Sequence, residues 1–239
     1  MASRLLWTNS GFTRVPPVFT KAAVVSYADY GIYVQQVEKL RRTVELHNPG
    51  LDVLIFRSPA EIGAPSHQTN PYAFKVYSIQ KAREMGYTTI LWCDSVLRPV
   101  TSLAPLMEAV NKVGVYFQKD GYMCGQWAND RALEYFNVTR DDAMKISSIY
   151  ACFMGFNFKS ELACEYFRRW KRACDDGIFR GRWKNDEKTE SQDERCLGHR
   201  HDQTCSELIA YQMGIPLNVQ VFSYDTKFPN RYFTGWDKP

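Results

Sequence analysis

TTILWCDSVLRPVTSLAPLMEAV, residues 88–110, decides how the chain is read. Its first six residues run without a charged break, which suits a strand covered on both faces. Asp94-Ser95 ends that strand, Pro99 follows, and the spacing predicts a helix over about 101–112. Towards the N-terminus the alternation repeats. AAVVSY (22–27) and LDVLIF (51–56) are further apolar strands. Between them Ile32, Val34, Val37, Leu40, Val44 and Leu46 recur at mostly three- and four-residue steps, an amphipathic helix closed by Asn48-Pro49-Gly50. Residues 59–70 read as a loop, and Pro71, capped by Asn70, opens a helix through Phe74, Tyr77, Ile79 and Ala82 to Gly86. Downstream, strands are expected at 113–117, 149–158 and 217–222, and helices at 161–174 and 203–213. The stretch 175–200 is charged and aperiodic, a long loop of the kind that covers a ligand. The order predicts an α/β fold, a mixed and mainly parallel sheet with helices on both faces. One domain spans 1–239, with 1–20 as an extension.

Composition narrows the class. The chain has 239 residues, 45% hydrophobic, with 14 Tyr, 14 Phe and 6 Trp, enough to build a core and too many for a disordered chain. A net charge of +4 is too small to argue for nucleic acid. No apolar run approaches the ~18 residues of a membrane helix, and the first twenty lack a secretory h-region. Seven scattered cysteines fit a reducing compartment better than a disulfide framework. A cytoplasmic location is expected, with a Golgi-lumenal fragment as the alternative.

Ligands of parallel α/β sheets bind at the carboxyl ends of strands. Two such ends carry chemistry: Ser26-Tyr27-Ala28-Asp29 and Trp92-Cys93-Asp94-Ser95. Helix capping is the alternative role for Asp29 and for Asp94.

The segment around Asp94 resembles the GT-A-fold nucleotide-sugar glycosyltransferases, where such a strand ends in Asp-x-Asp. Pro71-Tyr72-Ala73-Phe74-Lys75 is similar to that family's Tyr-x-x-Lys segment. Gly198-His199-Arg200-His201-Asp202-Gln203-Thr204 resembles its His-Asp-Gln-Ser/Thr segment in bacterial and viral members. The resemblance spans about 22–223. It implies a Rossmann-like GT-A domain moving a sugar from a UDP-type donor to a glycan hydroxyl. Ser26, Tyr27 and Asp29 would hold base and ribose. Lys75, Trp92, Cys93, Asp94, Ser95 and Arg200 would surround the diphosphate and sugar, with Asp202 and Gln203 at the reacting centre. Asp202 would be the base of an inverting reaction; in a retaining one Asp202 or Gln203 would steady the sugar. A capping Asp at a helix start is the other reading of Asp202.

One position departs from the pattern. The second acid falls at Val96, so Mn²⁺ or Mg²⁺ would rest on Asp94 with the donor's phosphates, helped by a histidine such as His201, or would not be needed. Without metal, cations must meet the leaving group, with Arg98, Arg180, Arg182 and Lys184 as further candidates beside Lys75 and Arg200. Two alternatives stand beside transfer. Cys196, His199, His201 and Cys205 hold possible ligands for a structural zinc. A non-catalytic carbohydrate- or nucleotide-binding domain is the second, in which the aromatic and basic residues Tyr166–Lys171 would line a carbohydrate or nucleic-acid surface. His47 and His67 read as ordinary residues, and Tyr232–Trp236 either stacks on sugar or covers the core.

Overall fold

A computed structural model describes residues 5–8, 11–14, 17–218 and 232–235. An antiparallel hairpin, Leu5–Thr8 with Gly11–Arg14, precedes the main sheet. That sheet contains β1 (Ala22–Tyr27), β2 (Asp52–Phe56), β3 (Thr89–Cys93), β4 (Val115–Met123) and β5 (Ser147–Asn157), in the order β2-β1-β3-β5-β4. β1 lies parallel to both β2 and β3. β5 is antiparallel to β3 and to β4, so four strands run one way and β5 alone runs back. The mixed, mainly parallel sheet expected from the sequence is the one observed. β2 and β3 flank β1 on opposite sides, and the strand order therefore reverses at β1.

Five longer helices cover the two faces: α1 (Gly31–His47), α2 (Ala73–Glu84), α3 (Ala104–Val113), α4 (Glu161–Asp175) and α5 (His201–Gln212). Strand periodicity sorts the core. Ala23, Val25, Tyr27, Ile90 and Trp92 join the cluster with Val76, Ile79, Trp170 and Leu208. Ala22, Val24, Leu91 and Cys93 join the opposite cluster with Val37, Leu40, Leu106 and Val110. α4 shows the helical logic plainly, burying Ala163, Tyr166, Phe167, Trp170, Ala173 and Cys174 on one stripe. Tyr166, Phe167 and Trp170 are core, which removes them from the carbohydrate or nucleic-acid surface expected of Tyr166–Lys171. In α1 only Val37, Leu40 and Val44 of the expected apolar stripe are buried, while Ile32 and Leu46 face solvent.

Several boundaries move. The expected loop 59–70 contains a helical turn, Pro59–Ile62, capped by Ser58. α2 starts at Ala73 rather than Pro71, because Tyr72 adopts a left-handed conformation. Asn70 does not cap it; its Nδ2 donates to the Cys174 carbonyl at 2.8 Å. β4 runs past residue 117 to Met123 through an irregular register. Short helices at Asp130–Tyr135 and Arg140–Ala143, capped by Asn129 and Thr139, were not legible as periodic segments. Residues 176–200 hold neither helix nor strand, as expected. The segment is nonetheless tied down, with Asn185 Nδ2 donating to the carbonyls of Ser191 and Cys196. Of the last expected strand, Asn218 forms a bridge to Gln118, and 219–222 lie outside the described residues. Phe233 is fully buried against Phe153, so it covers the core; Trp236 lies outside the described residues.

Candidate active site

A cleft of about 340 Å³ opens at the carboxyl ends of β1 and β3, where the strand order reverses. Its walls are aromatic: Tyr27, Tyr30, Tyr33, Tyr72, Phe74 and Trp92 line it with His67, Asp29, Lys75, Asp94 and Ser95. Tyr27 stacks on Phe74 at 4.6 Å, and its hydroxyl donates to Asp29 Oδ2 at 2.7 Å. Burial and that hydrogen bond hold the Tyr27 hydroxyl well above the usual tyrosine range. Asp29 is thus engaged by Tyr27 rather than capping α1, whose N-cap is Tyr30.

Lys75 is the pivot. It leaves the first turn of α2 buried, at 3% exposure. Its ammonium donates to the Ala151 carbonyl of β5 at 2.9 Å and lies 3.1 Å from Asp202 Oδ2 and 3.4 Å from Asp94 Oδ1. One proton goes to the Ala151 carbonyl, and the two carboxylates face the ammonium as ion pairs. Burial disfavours the charged form, but Asp202 and Asp94 outweigh it and hold the amine above the usual lysine range. Burial pushes the Asp202 carboxyl up to about 6, while the Lys75 ammonium pulls it back. Asp94 Oδ1 also accepts from Trp92 Nε1 at 2.8 Å. Neither Asp94 nor Asp202 caps a helix through its side chain; α5 has Arg200 as N-cap, with no side-chain cap bond.

Two residues at this centre hold left-handed backbone: Tyr72 at φ 60° and His201 at φ 50°. Non-glycine residues pay about 1–3 kcal/mol for such positions. Each immediately precedes a clamp-bearing segment, and their rings stack at 5.2 Å. The strain turns Lys75 and Asp202 towards one point.

The sequence-derived residues divide into groups. Tyr27, Asp29, Lys75, Trp92, Asp94 and Ser95 meet at the cleft, and Asp202 stands behind Lys75 at 2% exposure. Ser26 and Cys93 do not line it; both are fully buried, and Cys93 belongs to the opposite core cluster. Gln203 is tied inward, its amide donating to Ser148 Oγ and Glu207 Oε1. Arg200 does not line the cleft; it stands among Tyr122, Trp127 and Trp183, 3.6 Å from Asp120. Arg98 is committed to the carbonyls of Ser95 and Leu97, and Arg182 pairs with Glu187, while Arg180 is an exposed residue of the charged loop. Tyr30, Tyr33 and His67 also line the cleft, where no sequence reading places them, and Tyr72 enters the sequence reading only as part of its motif. The Tyr-x-x-Lys pattern pointed at Tyr72; the other three carry no local signal.

The zinc alternative falls on geometry. His199 Nε2 bonds the Ile178 carbonyl at 3.0 Å, His201 Nδ1 bonds that of Phe179 at 2.8 Å, and the Cys196 thiol faces the carbonyls of Ala128 and Gly198. Burial holds His199 down to about 3 and His201 below its ordinary value. Among the described residues no three His, Cys, Asp or Glu side chains are grouped to hold a metal.

A donor-borne divalent ion is a different matter. Asp94 is the one carboxylate that faces the cleft beside Lys75, with Asp202 paired behind it. Both Asp94 contacts fall on Oδ1, and the side chain is 33% exposed, so Oδ2 remains for a cation shared with phosphate oxygens. Asp94 fits that role; Asp202 is spent on Lys75.

No protein-family model and no curated protein sequence matches the chain. Solved structures share its fold, three glycosyltransferases among them. The bifunctional glycosyltransferase WbbM superposes with a TM-score of 0.55 at 14% identity, over 96% of this chain and 49% of that one. This chain therefore spans about half the length of WbbM. Mouse xyloside xylosyltransferase 1 gives 0.53 at 8% identity, covering 90% of this chain and 97% of the other. A glycosyltransferase involved in glycosylation of the major capsid of PBCV-1 gives 0.51 at 11%, covering 91% and 95%. At these identities the likeness establishes the α/β fold that these enzymes share.

Proposed function

We propose that the cleft binds a nucleoside diphosphate sugar, UDP-linked first among the candidates, and transfers its sugar to a hydroxyl of a glycan. The observation that carries this reading is the Lys75 clamp: a buried ammonium fixing two carboxylates at the floor of an aromatic cleft, at the sheet's switch point. The shared fold of three glycosyltransferases supports it.

In this reading Tyr30 and Tyr33 offer faces to the base. Asp29 keeps Oδ1 for a ribose hydroxyl while Oδ2 holds Tyr27. Lys75 is buried against the Ala151 carbonyl and two carboxylates, so its role here is to position: it holds Asp94 at the diphosphate, and Asp202 in turn holds Lys75. The C1–O bond to the diphosphate breaks with its electron pair left on phosphate, while the acceptor oxygen bonds C1 and gives its proton to solvent water. A divalent cation on Asp94, bound with the donor, would supply positive charge to the leaving group.

Melting curves test the proposal. UDP at about 100 times its Kd adds about 2.7 kcal/mol, a rise of several degrees for a chain of this size. The rise is expected with Mn²⁺ and is expected to vanish with a chelator. Silence across UDP, GDP and CDP and their common sugars, with Mn²⁺ present, overturns it.

A further inference from the structure

Beyond the nucleotide cleft, exposed aromatic rings gather at one other place beside the clamp. Trp183 and Tyr122 are 47% and 45% exposed. Trp127 joins them, 6.1 Å from Tyr122 and 6.3 Å from Trp183. The Arg200 guanidinium lies among the three, 4.1 Å from the Trp127 ring centre, 5.0 Å from Tyr122 and 5.5 Å from Trp183. Asp120, 3.6 Å away, balances its charge.

We propose that Tyr122, Trp127 and Trp183, with the Asp120–Arg200 pair, form a second subsite that binds a neutral saccharide by the apolar face of a sugar ring. Only the saccharide's part as acceptor rests on the glycosyl-transfer reading; the binding site does not. A pyranose offers C–H bonds on one face and vicinal hydroxyls at its edge. Aromatic rings match the face, and a guanidinium beside a carboxylate matches the edge, one donating and one accepting. Neutrality follows from charge: Arg200 is already paired one to one, and an acidic sugar would meet Asp120.

The subsite adjoins the clamp through a row of rings. Trp183 stacks on His201 at 5.9 Å, His201 on Tyr72 at 5.2 Å, and the Tyr72 ring lies 5.3 Å from Lys75 Nζ. The platform is also preformed. His199 N–H donates to the Arg182 carbonyl at 2.8 Å and Asn185 N–H to that of Leu197 at 2.9 Å. Gly198, at φ 158°, packs so closely that a Cβ there would stand 2.0 Å from the Trp183 carbonyl oxygen. Little ordering entropy remains to be lost on binding.

The test applies the labelled full chain to an array of neutral and uronic-acid glycans, beside UDP melting shifts on the same samples. Neutral glycans are expected to bind, and Trp183→Ala and Tyr122→Ala to weaken that binding about tenfold or more, a difference of about 1.4 kcal/mol per decade. Trp183→Phe, which keeps a stacking ring, should recover most of it. All three variants should keep the wild-type melting point and UDP shift. No neutral glycan bound, acidic glycans alone bound, or binding unmoved by Trp183→Ala and Tyr122→Ala overturns the subsite. Neutral binding that depends on Trp183, with no melting shift from UDP, GDP, CDP or their common sugars, keeps the subsite and removes the donor reading.

Discussion

Lys75 gives the sharpest test at the level of one side chain. Replacing it by Met leaves Asp94 and Asp202 facing each other with no cation between them. Breaking a buried pair in this way costs about 3–5 kcal/mol. Urea unfolding of Lys75→Met should show that loss at pH 7.5 and a smaller one at pH 5, where Asp202 takes up a proton. Asp202 itself makes a pH prediction. Its carboxyl titrates at about 6 in the folded chain against an ordinary 3.8. The folded state therefore binds more protons between those values, and this group's contribution is complete below about pH 4 and lost as pH climbs through 6. Asp202→Asn removes that dependence, so the stability of wild type relative to the variant should fall by about 2–3 kcal/mol from pH 4 to pH 7. Titrated urea midpoints decide it; a constant difference refutes the assignment. The sequence named Lys75, Asp94 and Asp202 through motif resemblance, yet it gave no sign that one ammonium joins them, since the partners lie far apart in the chain. It also put Ser26 and Cys93 in the cleft. In a strand apolar on both faces the alternation is hidden, and nothing in AAVVSY or TTILWC tells which side Trp92 takes and which Cys93.

Among the elements, α4 holds the clamp's backing. Trp170 is fully buried, and its Nε1 donates to the Asp202 carbonyl oxygen at 3.1 Å. Trp170→Ala should cost about 3–5 kcal/mol by cavity formation, measured by denaturant midpoint. Because Asp202 would lose that tether, UDP-dependent stabilisation should weaken as well. The helices with strong periodicity, α1 and α4, were legible to within a residue or two. Helical turns such as Asp130–Tyr135 were not, because they are set by the caps Asn129 and Thr139 and by packing rather than by a repeating stripe. The direction of β5 was equally hidden. A fully buried strand has the same composition whichever way it runs, so SSIYACFMGFN fixes the strand but not its antiparallel pairing with β3.

For the whole molecule, all seven cysteines are free, and five of them are buried. Burial raises the thiols of Cys93, Cys124 and Cys205 well above their usual range. A reductant should leave the melting point unchanged, and a thiol reagent under native conditions should reach the partly exposed Cys164 first, since burial raises the Cys152 thiol too. A melting point that drops with dithiothreitol would refute this thiol pattern. None of the described helices is long and apolar enough to cross a membrane.

The backward run of β5 carries one more consequence. It delivers Ala151 to an ammonium that left α2 seventy-six residues earlier, and Asp202 arrives later still. On the ribosome, a nascent chain that has emerged only through β3 would carry Lys75 with two of its three partners unsynthesised. A buried cation in that state is costly, so α2 cannot dock for good until the last third of the polypeptide is made. Truncated chains ending before Asp202 should therefore stay protease-sensitive around α2, however complete their first three strands.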